Sequence, residues 1–360
     1  MRYVESLNAA LHGLMAADPR VYLIGEDVLD PYGGAFKVAR GLSTAYPDRV
    51  VTTPISEAAL AGVGIGMAMR GMRPVVEIMF GDFLALCADQ IVNHAAKFRA
   101  MYGNGVQVPL VIRTPMGGYR CYGATHSQSL EAMFMGVPGL SIASPSLFHD
   151  PGALLSRCVR EEVDPVLFVE HKILYPQPVF ASGEALHGLP VHAVWECADA
   201  PLPTARLTVA PDEAPDVTII AYGAAASMAA EAAVAAFVGE EVVAEVVVPS
   251  RLRPLPLGDL LPAARRSRRV VVVEEGPRTG GWGAEVSSRL HEDLFSVLEA
   301  PVVRIGAADA PIPCARDLEA AVLPSVSQIT KAVLTLGGTP TSTPIELPRA
   351  SSIAVGPSES

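Results

Sequence analysis

The sequence predicts an α/β protein of two domains, each built on a mainly parallel sheet. Three observations predict it. The chain has 360 residues, half of them hydrophobic, which is more than one ordinary domain needs. Short β-branched apolar runs alternate with segments of helical period. A Pro-rich, polar stretch near 176–212 separates two such alternations and reads as a connector.

In the first half, residues 3–16 place Leu7, Leu11 and Leu14 on one helical face. Val21 to Ile24 is a short strand ending at Gly25-Glu26-Asp27, followed by the Gly-rich loop PYGGAF. Residues 57–70 form a small-residue helix in which Gly62, Gly64 and Gly66 permit close backbone approach. Pro74 to Ile78 is another strand. Phe83 to Met101 reads as one long helix, with Ile91, Ala95 and Phe98 on one face. Val108 to Arg113, Leu140 to Ala143 and Val166 to Val169 are further buried-type strands. In the second half, Val217 to Tyr222, Val242 to Val248 and Val270 to Glu274 are strands, with an Ala-rich helix between the first two. The expected layout is a first domain over 1–180, a connector over 181–212, a second domain over 213–336, and a Gly/Pro/Ser/Thr-rich disordered tail over 337–360.

Composition narrows the function. A net charge of -11 argues against nucleic acid or an anionic membrane as the main partner, because both select clustered Lys and Arg. Cys87, Cys121, Cys158, Cys197 and Cys314 are odd in number and widely spaced with no C-x-x-C pair. A reducing cytoplasm or organelle matrix fits them better than a disulfide framework or a zinc site. The N-terminus MRYVESLNAALHG reads as a helix and not as a secretion signal. The apolar stretch Val217 to Gly239 breaks at Gly223 and carries Glu231, so a buried strand and helix explain it better than a membrane span.

Three places could carry chemistry. In Thr53-Pro54-Ile55-Ser56-Glu57, Pro54 keeps the chain extended, Ser56 can cap the following helix, and Glu57 sits in its first turn. Taken alone Glu57 is a capping carboxylate; the apolar, Gly-rich run behind it makes it a candidate proton-handling group. His126 lies in a long loop after a strand, on the side where parallel sheets bind ligands. His12, His94 and His291 fall in helix-like segments, and His149, His171, His187 and His192 read as ordinary loop or edge residues. In Glu77-Ile78-Met79-Phe80-Gly81-Asp82-Phe83, Met79 and Phe83 could wall a flat ring or simply pack the core.

TPISE, RPVVEIMFGDF, ADQIVNHAAK, VIRTPMGG, THSQSLEAMF, PGLSIASP and DPVLFVEHKILYP occur in one order. They are followed by VPSRLRPLP, VVVVEEGPRTGGWGAEV, APVVRI and DAPIP. This ordered set resembles the beta subunits of 2-oxo acid dehydrogenases (pyruvate, branched-chain and acetoin types) over about residues 3–335. The resemblance implies a transketolase-like fold: a pyrimidine-type thiamin-diphosphate-binding domain, then a transketolase C-terminal-like domain. It implies oxidative decarboxylation of a 2-oxo acid and acyl transfer to lipoamide. Glu57 matches the glutamate that hydrogen-bonds the aminopyrimidine of thiamin diphosphate and so promotes formation of its nucleophilic ylide. Met79 and Phe83 match residues lining that pocket. His126 matches the active-site histidine, and Glu26 a second acidic position near the cofactor. Some family members hold potassium near the carbonyls of Leu110, Cys158, Glu161 and Asp164, although REEVDP is one residue longer here than the common pattern.

Two departures stand out. Arg120 and Cys121 occupy positions that are often small in the family, which bears on substrate identity. Pro256 replaces a common Asp at a helix start. The chain has no GDG motif, which in related enzymes helps to hold the Mg2+ on the diphosphate, and no P-loop or G-x-G-x-x-G after a strand. An alpha subunit is therefore expected to hold the metal and complete the site, most simply as α2β2. The second domain is expected to dock onto a lipoyl-bearing acyltransferase core. Two rival readings differ in class: half of a split transketolase or deoxyxylulose-phosphate synthase, and a non-catalytic scaffold paralogue.

Overall fold

The computed structural model describes residues 1–196, 200 and 202–338. The expected disordered tail lies outside them from residue 339 onward. Among the described residues fifteen strands run in chain order: β1 Val21–Gly25, β2 Val50–Thr52, β3 Arg73–Glu77, β4 Val111–Met116, β5 Ser141–Ala143, β6 Val166–His171, β7 Ala185–Leu186, β8 Leu189–Pro190, β9 His192–Glu196, β10 Thr204–Thr208, β11 Val217–Ala221, β12 Ala244–Pro249, β13 Arg251–Arg253, β14 Val270–Pro277 and β15 Val303–Ala307.

The first sheet has the order β13-β5-β6-β4-β3-β1-β2. It is parallel except for β13, which pairs antiparallel with β5, Arg251 opposite Ala143. β13 comes from the second half of the chain, so the two halves are interlocked through one sheet. The second sheet has the order β15-β14-β11-β12-β10-β9, with β10 and β9 antiparallel at one edge. Central strands such as β4, β6 and β11 are buried along their whole length, as expected for a sheet covered on both faces. Trp282 is fully buried between the halves. Its Nε1 donates to the Leu252 carbonyl at 3.2 Å, and its ring meets Tyr222 edge-on at 4.9 Å.

Three expectations need correction. Phe83 to Met101 is not one helix: a 3-10 turn spans Gly81–Cys87, a π segment Gln90–Ala95, and an α turn Ala96–Met101. Asp89 explains the π segment. Its carboxylate accepts from Asn93 Nδ2 at 2.7 Å, and its carbonyl lies 3.3 Å from His94 Nδ1, so side chains compete for the groups that would continue an α ladder. The connector region contains β9 and β10: β10 pairs with β12 and β9 with β10, and their apolar residues Ala193, Ala205 and Leu207 are buried; their shortness hides them from a reading along the chain. β4 begins later than expected, at Val111, because Pro109 has no N–H to enter the ladder.

The small-residue helix Glu57–Met69 shows why its glycines differ. A Cβ on Gly64 would lie 2.6 Å from Val76 Cγ2, so this position faces the sheet; Gly62 and Gly66 face open space.

Candidate functional site

The site forms where β1 and β3 end and the helix Glu57–Met69 begins. Ser56 caps that helix, its Oγ accepting from Ala59 N. The backbone N–H of Ser56 donates to Glu26 Oε1 at 3.1 Å. Glu26, just past β1, therefore fixes the turn that presents Glu57. Burial pushes the Glu26 carboxyl up, and the Glu57 charge beside it adds to that push.

Glu57 is only 5 % exposed. Its carboxylate makes no hydrogen bond or ion pair among the described residues. Its oxygens are not among the fully enclosed atoms that lack a partner, so they open onto the site, where a ligand can supply the donor the protein does not. The same group contributes to raising the Cys87 thiol to about 12, after burial itself, which places the 3-10 turn Gly81–Cys87 within its field. Phe83 lies on that turn and meets the His126 ring edge-on at 5.3 Å; Phe80 does so at 4.8 Å. Asp82 ties the turn to the histidine loop by accepting from Gln128 N at 3.3 Å and Gln128 Nε2 at 2.8 Å. His126 Nδ1 lies 3.0 Å from Thr125 Oγ1. Its Nε2 has no hydrogen-bond partner among the described residues and remains available to a ligand.

Glu26, Glu57, Phe83 and His126 thus belong to one connected neighbourhood. Met79, half-buried, lies two residues past the end of β3, just before the turn Gly81–Cys87. A pyrimidine ring suits these residues chemically: Glu57 offers an acceptor, Phe80 and Phe83 an aromatic surface, and His126 an imidazole. Leu110, Cys158, Glu161 and Asp164 lie elsewhere, where residues 162–165 close onto Val108. The Leu110 carbonyl accepts from Val166 N at 2.8 Å and the Cys158 carbonyl from Glu162 N at 3.4 Å, while the Asp164 carboxylate pairs with Arg99 at 2.7 Å. No group of three or more His, Cys, Asp or Glu side chains is arranged to hold a metal among the described residues.

Two histidines were misjudged from sequence. His171 is not an ordinary edge residue: it ends β6, is buried, and pairs through Nε2 with Glu275 Oε2 at 2.6 Å. His149 is also buried, 2.9 Å from Ser146 Oγ, and burial lowers it to about 4. Lys172, Glu275 and Glu319 were missed. Lys172 is fully buried with its Nζ donating to the His126 carbonyl, and burial lowers it to about 8. The available signal was Glu170-His171-Lys172, three ionisable residues in succession at the end of an apolar strand. Behind the site, Arg113 is buried between two carboxylates. It pairs with Glu77, and bidentately with Glu170 at 2.8 and 2.6 Å.

Comparison with known proteins bears on the family and the fold. Residues 1–178 match the transketolase pyrimidine-binding domain and residues 208–329 the transketolase C-terminal domain. A pyruvate dehydrogenase E1 component subunit beta-1, mitochondrial, of Oryza sativa is 39% identical over 91% of this chain and 84% of its own length. The acetoin:2,6-dichlorophenolindophenol oxidoreductase subunit beta of Cupriavidus necator is 36% identical, covering 91% and 94%. The 2-oxoisovalerate dehydrogenase subunit beta of Bacillus subtilis is 37% identical, covering 86% and 90%. Among solved structures, a split-gene transketolase described as an inactive beta4 tetramer superposes with a TM-score of 0.67 at 22% identity, covering 94% of this chain and 100% of that one; this likeness concerns the fold alone. No described helix is long and apolar enough to cross a membrane. The chain belongs to the beta subunits of the 2-oxo acid dehydrogenase E1 components, a thiamin-diphosphate-dependent family of oxidoreductases in which beta is paired with an alpha subunit.

Proposed function

We propose that this chain supplies the pyrimidine half of a thiamin-diphosphate site. With an alpha subunit as α2β2, it would decarboxylate a 2-oxo acid and pass the acyl group to lipoamide. The observation that carries the reading is Glu57, a buried carboxylate at a helix mouth with no protein donor of its own. Thiamin diphosphate, when bound, supplies the nucleophilic carbon and the electron sink for decarboxylation. Glu57 accepts a hydrogen bond from the pyrimidine ring and keeps a proton on that ring nitrogen. Glu26 holds Ser56 N and thereby aims Glu57. Met79 and Phe83 keep water from the ring face. His126, with Nε2 free, orients the 2-oxo acid or assists acyl transfer.

Residues 1–180 carry this half-site, 181–212 link it to the second domain while lending β9 and β10 to that domain's sheet, and 213–336 dock onto a lipoyl-bearing acyltransferase core, in a cytoplasmic complex. The alpha subunit holds the Mg2+ on the diphosphate. Potassium near the carbonyls of Leu110, Cys158, Glu161 and Asp164 would steady the loop after the helix Pro151–Glu161. The test is Glu57→Gln in the complex with its cognate alpha subunit, assayed by dye reduction with 2-oxo acids. The expected loss is about 10²–10⁴-fold. Retained activity, or turnover of ketose phosphates in place of 2-oxo acids, would overturn the reading.

A further inference from the structure

The loop from Gly117 to Leu130, which carries His126, makes few bonds within itself. Gly117 N reaches the Gln128 carbonyl at 3.2 Å and closes its base. Most of the remaining anchors come from the second half of the chain. Glu275, in β14, accepts at Oε1 from Gly118 N at 2.7 Å and from Ser129 Oγ at 3.1 Å. One carboxylate oxygen thus ties both ends of the loop. Its Oε2 takes His171 Nε2, and His171 fills the space under Gly117: a Cβ there would lie 1.8 Å from that nitrogen, and φ at Gly117 is +91°, in the left-handed region that favours glycine. Burial raises the Glu275 carboxyl, but the His171 charge and these hydrogen bonds outweigh it and hold it below the ordinary carboxylate range. Glu319, in the helix Arg316–Val322, accepts from Cys121 N at 3.2 and 3.1 Å. The Tyr119 hydroxyl donates to the Pro324 carbonyl at 2.9 Å. From the first half, Lys172 holds the carbonyl of His126 itself.

Other bonds between the halves, such as β13 with β5 and Tyr222 with Glu131, are spread over the interface. Those of Glu275, Glu319 and Lys172 converge on the segment that presents the imidazole. We propose that the second domain is part of the catalytic apparatus, with Glu275 as a positioning residue that acts through His126 and with Glu319 and Lys172 completing the clasp. The proposal rests on the role given to His126 above. It follows that a partner which shifts the second domain also shifts the imidazole against Phe80 and Phe83.

The experiment uses the complex with its alpha subunit, thiamin diphosphate and Mg2+. Glu275→Gln keeps the shape and removes the ionic grip on His171. It should lower kcat for the 2-oxo acid by about 10–100-fold, the scale of a small misplacement of a reacting group. Glu275→Asp should recover part of the loss. Amide exchange in the loop, at Gly118 and Cys121, should accelerate by about tenfold or more. In a His126→Ala background the substitution should cost nothing further, because its effect passes through that ring. Ser129→Ala, which removes one bond and leaves the domain contact intact, should give a smaller loss with the same dependence on His126. Unchanged kcat and exchange in Glu275→Gln, or a loss that adds fully to that of His126→Ala, would overturn the clasp. Full activity in His126→Ala alone would defeat the role of His126 and the kinetic claim together. A normal His126→Ala loss beside a silent Glu275→Gln defeats only the clasp.

Discussion

Replacing Arg113 by Met tests the charge cluster behind the site. Arg113 is about 1 % exposed and lies between Glu77 on β3 and Glu170 on β6. Glu170 also accepts from the Tyr175 hydroxyl at 2.7 Å. Methionine fills much of the same volume but leaves two buried carboxylates facing each other without a cation. Breaking a buried pair from one side costs about 3–5 kcal/mol, a large part of the roughly 5–15 kcal/mol that holds a domain together. The loss should depend on pH. Burial already raises the Glu77 carboxyl, with Arg113 pulling it down and Glu170 pushing it up. Without Arg113 only the raising causes remain. A carboxyl whose folded pKa lies above its unfolded one binds the extra proton in the folded state, so its contribution is present at low pH and is lost as pH rises through the folded pKa. The variant's deficit should therefore be smaller at pH 5 than at pH 8. Urea unfolding of both proteins at the two values measures it. A deficit below about 1 kcal/mol, or one independent of pH, would refute the reasoning.

The helix Glu57–Met69 offers a paired test. Gly64→Val pushes a side chain into Val76 and Leu110 and should lower stability by about 1–3 kcal/mol. Gly66→Ala meets nothing within 4 Å and should raise it by roughly 0.5–1 kcal/mol; thermal unfolding gives the order. Cys314 is exposed, whereas burial raises the Cys87 and Cys158 thiols to about 12. A thiol reagent should label Cys314 on the native protein, and Cys87 and Cys158 only after denaturation, as read by peptide mapping.

The parts legible in the sequence were those in which local chemistry and fold agree. Ser56 and Glu57 follow a helix-start pattern, and the structure places them there. The alternation of β-branched runs and helices led to the two sheets. Strand edges were harder: β9 and β10 are short and half-polar, β10 is held by β12 and β9 only by β10, and β12 is a partner invisible to a reading along the chain. The π segment at Gln90–Ala95 depends on side-chain bonds to Asp89 that helical periodicity does not register. At the site, residues near one another in sequence, such as Met79 and Phe83, could be grouped from the start. Glu275 and Glu319 could not: each is far along the chain from the loop it holds, separated from Gly118 and Cys121 by 157 and 198 residues. His171 was undervalued because nothing local identifies its partner.

The central claim is that the cofactor site is divided between two chains, and direct binding tests it. Thiamin diphosphate with Mg2+ should be titrated calorimetrically into this chain, into its cognate alpha subunit, and into the assembled complex. Binding should be tight in the complex alone, and weakened when Glu57 is changed to Gln. Equally tight binding by this chain without alpha, or a complex that binds Glu57→Gln and wild type alike, would contradict it.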